Sequence, residues 1–308
     1  MRAIEYTKYG PPEVLHLVEV DKPVPKDNEI LVRVVATTVT RGDSRMRSFT
    51  VPRGQWLFAR LYLGILGPRR RILGMELAGE IEAIGSAVTR FKVGDAVMGS
   101  TFGANWGGYA EYKCLPEDGV VVFKPANVTY EEAAAIPGAG MTALRMLRQG
   151  KIQQGQQVLI YGASGAVGTY AIQLAKYFGA EVNGVCSTAN VALVKSLGAG
   201  KVIDYTQEDF TAMGLTYDAI FDAVGKTSAA QAKKSLKPTG IYIDVHAVQG
   251  SETIEDLTFL KELVETGAIR PVIDRCYPLE QMVEAHHYVD MEHKKGNVAI
   301  TVARAGAR

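Results

Sequence analysis

Three glycines set three apart, Gly162, Gly165 and Gly168, are the residues whose spacing most directly suggests chemistry. Before them stand Val158, Leu159, Ile160 and Tyr161, the short dense apolar run of a buried parallel strand. After them comes a helical pattern, AVGTYAIQLAKYFGA. A strand, a tight turn and a helix N-terminus in that order aim free backbone N–H groups and the helix dipole at one place. Residues Gly162, Ala163, Ser164, Gly165, Ala166, Val167 and Gly168 would thus seat a pyrophosphate. The spacing is G-x-x-G-x-x-G where dinucleotide turns more often read G-x-G-x-x-G, so the pattern takes its weight from its setting. The plainer alternative is a glycine turn that only lets a helix pack on a strand.

The elements that must position this turn can be read from pattern. At 308 residues the chain can form two domains of ordinary size. Residues 1–125 alternate apolar and polar positions between Gly and Pro turns, most clearly at 30–39 and 76–85, and are expected to be β-rich. From 40 to 67 the pattern is mixed, with aromatics at Phe49, Trp56, Phe58 and Tyr62, and reads as a partly helical loop over a cleft or as core filling. From Thr129 the period turns helical, with Thr129 as N-cap, Glu132 at the capping-box position and a break at Pro137. Strands at 181–187, 201–205, 217–225 and 240–246 then alternate with helices, which implies a doubly wound parallel sheet. The tail gives a strand, a helix and a last strand and is expected to return to the first domain. The expected division is therefore 1–125 with 268–308, and 126–267.

Composition narrows the partners. Apolar residues make up 47% and charged residues 22%, the proportions of a soluble globular protein. A net charge of +1 gives no overall basic field for nucleic acid or a membrane. The triplet Arg69-Arg70-Arg71 is local and reads as a solvated loop rather than a phosphate patch. No apolar run reaches a membrane span, and the N-terminus MRAIEYTKYG has no signal-peptide core. Cys114, Cys186 and Cys276 are too scattered for a disulfide framework. The expectation is a reduced, cytoplasmic protein that meets a small-molecule substrate, with no nucleic acid and no membrane as partner.

The segments GMELAGEIEAIGSAVTRFKVGDAVMG, AAAIPGAGMTAL, VLIYGASGAVGTYAIQLAK, CSTANVALVKSLGAGKVIDY, YDAIFDAVG and HKKGNVAITV follow one another across nearly the whole chain. In that order they resemble the medium-chain dehydrogenase/reductase superfamily, in its zinc-free quinone oxidoreductase-like branch. The resemblance implies an α/β protein: a GroES-like β-rich catalytic domain, a Rossmann domain, and a cleft between them where a nicotinamide lies. It also implies that Thr142, Val224, Gly225, Val245 and Asn297 contact the cofactor.

NAD-specific Rossmann enzymes hold the ribose 2′-hydroxyl with an Asp or Glu about twenty residues past the first glycine. Here the second strand ends Val185-Cys186-Ser187-Thr188, and Glu181 sits at its start. The missing carboxylate, with the Ser187 and Thr188 hydroxyls as donors, favours NADP. Ala189 and Asn190 occupy the places of the family's basic neighbour, and Tyr205, Lys294 or Lys295 could complete the phosphate site by resemblance. Zinc ligands are missing at the matching places: the segment Thr40 to Asp43, Met75 and Ala139 stand there, and the lobe region around 99–114 has one Cys. The adjacent His286 and His287 face different ways on a helix and read as core or surface residues.

Without a Lewis acid, an acceptor that takes hydride readily, a quinone or an α,β-unsaturated carbonyl, is the expected substrate. Where the branch carries an Asn and a Tyr near the nicotinamide, this chain carries Thr40 and Arg45, and Asp43 keeps the branch's acid. Thr40, Asp43 and Arg45 are the candidate catalytic residues; Arg45 could stabilise an enolate oxygen or pair with Asp43. Trp56, Phe102 and Trp106 could stack on a flat acceptor or simply pack. After the fifth strand only AVQGSETIE precedes the next helix, too short for the family's sixth strand, and the edge-to-edge dimer built on that strand is not expected. Two further readings remain open: a zinc-free alcohol dehydrogenase, and an NADPH-binding sensor or interaction protein whose catalysis is vestigial.

Overall fold

In the computed structural model, which describes residues 1–51, 54 and 56–303, the backbone gathers into two units. The first runs from Met1 to Gly138 and resumes at Ile273; the second is Ala139–Val272. The mixed stretch 40–67 is described except for residues 52, 53 and 55, and the tail as far as 303.

The first unit opens with an antiparallel pair, β1 (Arg2–Glu5) and β2 (His16–Glu19). The long strand β3 (Glu29–Thr38) follows, an apolar, β-branched run buried over most of its length. Two short helices, α1 (Arg41–Ser48) and α2 (Trp56–Leu63), fill the mixed segment. Strands β4 (Glu76–Ile84), β5 (Ala96–Ser100), β6 (Tyr112–Pro116) and β7 (Val121–Phe123) then complete the β-rich part. Helix α3 (Tyr130–Ala134) starts at Thr129, whose hydroxyl accepts the Glu132 N–H while the Glu132 carboxylate accepts the Thr129 N–H. Its buried residues, Ala133 and Ala134, face β3 and β4. For that reason residues 126–138 belong with the first unit and not, as expected from the change of period at Thr129, with the nucleotide domain. A new period marks a helix; it does not mark a domain.

The unit boundary falls inside α4 (Pro137–Gln149). In the second unit β8 (Gln157–Tyr161), α5 (Ala166–Tyr177), β9 (Glu181–Cys186), α6 (Val191–Ser196), β10 (Lys201–Asp204) and β11 (Tyr217–Asp222) follow in turn. After them come α7 (Ala229–Ala232), β12 (Leu236–Asp244) and α8 (Ile254–Glu265). All pairings are parallel, in the order β10-β9-β8-β11-β12. Chain order reverses beside β8, and in such sheets ligands bind at the carboxyl ends of the strands at that point. After β12 the chain makes one 3-10 turn, Val245–Ala247, before α8, so the sheet ends at five strands among the described residues.

Residues 268–272, expected in the returning tail, stay with the second unit. Ile269 is buried and the Arg270 N–H is held by the Gln173 side chain at 2.9 Å. The tail then supplies β13 (Ile273–Pro278), α9 (Met282–Asp290) and β14 (Asn297–Thr301), and β14 pairs antiparallel with β3 in the first unit's seven-stranded sheet.

Candidate cofactor and substrate sites

The glycine turn stands where the second unit's sheet reverses. Gly162 has φ +77°, and a Cβ on it would lie 2.5 Å from a Val224 methyl. Gly168 sits in the first turn of α5 so close to β8 that a Cβ would lie 2.2 Å from the Gly162 carbonyl oxygen. The fold demands both. Gly165 is different: it is the N-cap of α5, and the nearest atom to an added Cβ, the Gly162 oxygen, would be 3.5 Å away, ordinary contact. No side chain caps α5. The first-turn N–H groups of Ala166, Val167 and Gly168 have no partner among the described residues. A glycine the fold does not require, in front of unspent donors, is what close approach of a phosphate requires.

Asn190 ties this turn to the end of β9. Its amide donates to Ser164 Oγ at 3.0 Å and Ser187 Oγ at 3.2 Å, while its buried Oδ1 has no partner among the described residues. An orphaned acceptor beside unspent donors fits a cradle completed by a bound dinucleotide. Thr188, one residue past Ser187, is committed differently. Its hydroxyl lies 2.5 Å from Asp204 Oδ2, and that hydrogen bond, with others from Thr206, holds the Asp204 carboxyl below the usual range. Tyr205 is exposed, and its N–H donates to the Cys186 carbonyl at 3.1 Å. Asp222, fully buried at the end of β11, orders the next loop by accepting the N–H groups of Val224 (3.0 Å), Gly225 (2.8 Å) and Thr227 (2.7 Å).

The turn, Asn190, Ser187 and Val224 are thus joined by direct contacts, and Tyr205 by the backbone of Cys186. Thr142 lies half-buried on α4 and Val245 half-buried at the end of β12. Asn297 is buried in β14 of the other unit. Sequence reasoning missed Asp204 and Asp222, whose carboxylates act on hydroxyls and amides outside their own strands.

In the first unit the three candidate catalytic residues sit at the start of α1. Thr40 is its N-cap. The Thr40 hydroxyl donates to Asp43 Oδ2 at 2.6 Å and accepts the Asp43 N–H at 3.0 Å, while the Thr40 N–H donates back to Oδ2 at 3.0 Å. The other Asp43 oxygen accepts the Gly74 N–H at 3.0 Å. Asp43 is wholly buried, and burial pushes its carboxyl up against the pull of these hydrogen bonds. Arg45, half-buried, lies further along α1. The T-x-x-D spacing of a capping box was the signal in the sequence for this arrangement.

Next to Met75, buried Glu76 accepts from the Thr38 hydroxyl and, at 2.6 Å, from the Gly138 N–H. Lys294 donates to the Gly296 carbonyl at 2.6 Å, and burial pushes its ammonium down to about 8. Trp106 is a core residue with the Arg70 guanidinium 4.5 Å from its ring centre, whereas Trp56 and Phe102 are exposed. His286 is buried, and His287 meets Glu13 at 2.7 Å. Among the described residues no group of three or more His, Cys, Asp or Glu side chains could hold a metal ion.

Residues 26–125 match the family described as alcohol dehydrogenase GroES-like domain, and residues 197–300 the family described as zinc-binding dehydrogenase. The 2-methylene-furan-3-one reductase of Solanum lycopersicum is 33% identical over 323 residues, covering 97% of this chain and 79% of that protein. The chloroplastic NADPH-dependent alkenal/one oxidoreductase of Arabidopsis thaliana is 30% identical over 322 residues, with the same coverage, 97% and 79%. The structure of the quinone oxidoreductase from Coxiella burnetii matches with a TM-score of 0.89 and 33% identity, over 98% of this chain and 99% of that one. With its glycine turn on a five-stranded parallel sheet and its GroES-like unit, the chain belongs to the medium-chain dehydrogenase/reductase superfamily, in the quinone oxidoreductase-like branch.

Proposed function

We propose that this chain is an NADPH-dependent reductase of quinones or α,β-unsaturated carbonyls that works without a metal. The observation that carries the reading is Gly165, bare of side chain where the fold has room for one, in front of the unspent amides of α5. Bound there, the dinucleotide supplies a hydride from its nicotinamide. The amides of Ala166, Val167 and Gly168 hold its pyrophosphate, and Asn190 keeps Ser164 and Ser187 in register with them. The Thr188 proton is spent on Asp204, so recognition of a 2′-phosphate falls to Ser187 and Tyr205.

Three relatives are named for a methylene-furanone, an alkenal/one and a quinone; conjugated carbonyls of that kind accept hydride while charge spreads to oxygen. The metal-free reading rests on the sequence, where Thr40 to Asp43, Met75 and Ala139 stand at the places of the zinc ligands. At α1, Arg45 would stabilise a developing enolate or quinolate oxygen. Asp43, buried under Thr40 and Gly74, is a positioning residue that fixes the N-terminus of α1. With β12 the last strand at its edge of the parallel sheet among the described residues, the reading is a chain that is monomeric or associates through another face. Three free cysteines, Cys276 exposed among them, fit a reducing cytoplasm.

The test is fluorescence titration with NADPH and NADH, followed by steady-state oxidation of the cofactor against a panel of quinones and enals. NADPH should bind more tightly than NADH and be consumed with at least one conjugated acceptor. Turnover confined to simple alcohols or ketones would favour the alcohol dehydrogenase reading, and tight binding with no turnover the sensor.

A further inference from the structure

Helix α2 has the composition of a core helix and the position of a surface one. Its sequence, WLFARLYL, carries a single charge. Ala59 and Leu63 on one side pack into the first unit's core. The opposite side is bare: Leu57, Phe58 (77% exposed), Leu61 and Tyr62 face outward, and the following turn adds Ile65 and a fully exposed Leu66. Helices apolar all round are ordinarily buried, and a contiguous exposed patch of this kind marks an interaction surface. The one charge, Arg60, does not relieve it. Its guanidinium lies over the ring of Phe49 (4.2 Å) and between Tyr9 and Trp56.

The charges carried by this stretch of chain have one sign. From Ser44 to Met75 the sequence contains no Asp or Glu. Exposed Arg69 and Arg71 border a shallow groove of about 460 Å³, lined also by Thr7, Ile65, Leu66 and Pro68, and exposed Lys8 follows Thr7. Glu5 meets Arg71 at 3.5 Å, a surface pair of little energetic consequence. Arg70 is turned inward, over the rings of Trp106 and Tyr62. The arginine triplet is therefore not merely a solvated loop; two of its three members rim an apolar ridge.

We propose that α2 and the turn after it dock on an anionic lipid surface. Leu57, Phe58, Leu61 and Leu66 enter the boundary between headgroups and acyl chains, and Lys8, Arg69 and Arg71 meet lipid phosphates. Apolar side chains on a short helix with a rim in which the bases Lys8, Arg69 and Arg71 outnumber the one neighbouring acid named, Glu5, are complementary to that surface in both polarity and charge. A second copy of this chain fits worse. A two-fold contact on this patch would set each basic rim against its own image, with no carboxylate from 44 to 75 to neutralise it. No helix of the described residues is long and apolar enough to cross a membrane, so the contact is peripheral. It stands apart from the reductase reading, because it is measured without turnover.

The full chain should float with vesicles containing about a third phosphatidylglycerol, stay behind with pure phosphatidylcholine, and release as salt shortens the Debye length. Phe58→Asp with Leu61→Asp should abolish flotation. Arg69→Ala with Arg71→Ala should weaken it about thirtyfold, since each basic residue near an anionic surface contributes roughly one tenfold step or somewhat less. All four residues are exposed or at the groove rim, so both variants should keep the wild-type circular dichroism and NADPH titration. Wild-type protein that ignores anionic vesicles, or flotation that neither variant alters, overturns the proposal. So does concentration-dependent self-association that Leu61→Asp abolishes in a protein that binds no vesicle, for then a second copy covers the patch.

Discussion

The three glycines of the turn do different work, and a methyl group tells them apart. At Gly168 it must occupy space 2.2 Å from the Gly162 carbonyl, so α5 and β8 must part. Gly168→Ala should lose about 1–3 kcal/mol of stability in urea unfolding, the usual cost of overpacking. At Gly165 the same methyl meets only ordinary contacts, and unfolding should change by no more than about 0.5 kcal/mol. It would, however, stand in front of the first-turn amides. Gly165→Ala should therefore weaken NADPH binding about tenfold or more by fluorescence titration, the loss of one charge-assisted hydrogen bond of roughly 1.5 kcal/mol. Wild-type affinity in that variant would mean that the diphosphate rests elsewhere. Asp204 and Asp222 belong to the same scale. Each carboxylate fixes its neighbours through hydroxyls or amides of a following loop, and no local spacing announces such a bond.

Among the elements, α1 shows how a capping box becomes part of a site. Asp43 accepts from Thr40 twice and from Gly74 once, so one carboxylate ties the helix start to the segment before β4. Asn at this position is nearly isosteric but turns one acceptor into a donor. Asp43→Asn would face its NH2 group toward the Thr40 donors or the Gly74 amide. It should cost about 1–3 kcal/mol in thermal or urea unfolding. By loosening Thr40 and Arg45 it should lower kcat more than it raises KM in quinone reduction. A variant that keeps both stability and the kcat of the wild type would show that the box positions nothing. The βα alternation and the capping box at Thr129 were legible in the sequence because buried strands are dense apolar runs and caps are local. The box at Thr40 carries the same spacing, but its residue types point equally to catalytic groups. Helix α2 was not legible as a surface element, since a helix apolar on every side has no period from which an outer face can be read.

At the scale of the whole molecule, the returning tail brings a histidine into the first unit's interior. His286 on α9 is fully buried, edge-on to Tyr109 at 5.8 Å between ring centres, and neither ring nitrogen has a partner among the described residues. Burial, reinforced by the Arg47 guanidinium and only partly opposed by Asp290, pushes its imidazolium down to about 3. The unfolded chain takes up this proton near 6.5, so above that pH the residue adds nothing to the pH dependence of stability. As pH falls from 6.5 toward 3 the unfolded state gains a proton that the folded state refuses. Stability drops by about 1.4 kcal/mol for each pH unit in that window. His286→Phe keeps the ring volume and removes the proton site, so urea unfolding from pH 7 to 4 should show a shallower decline than in the wild type. Asp43 acts with the opposite sign, because a carboxyl raised in the folded state binds its proton there first as pH falls. That contribution is common to both proteins, so the difference between the two profiles isolates His286, and parallel profiles would mean that its ring is reached by water.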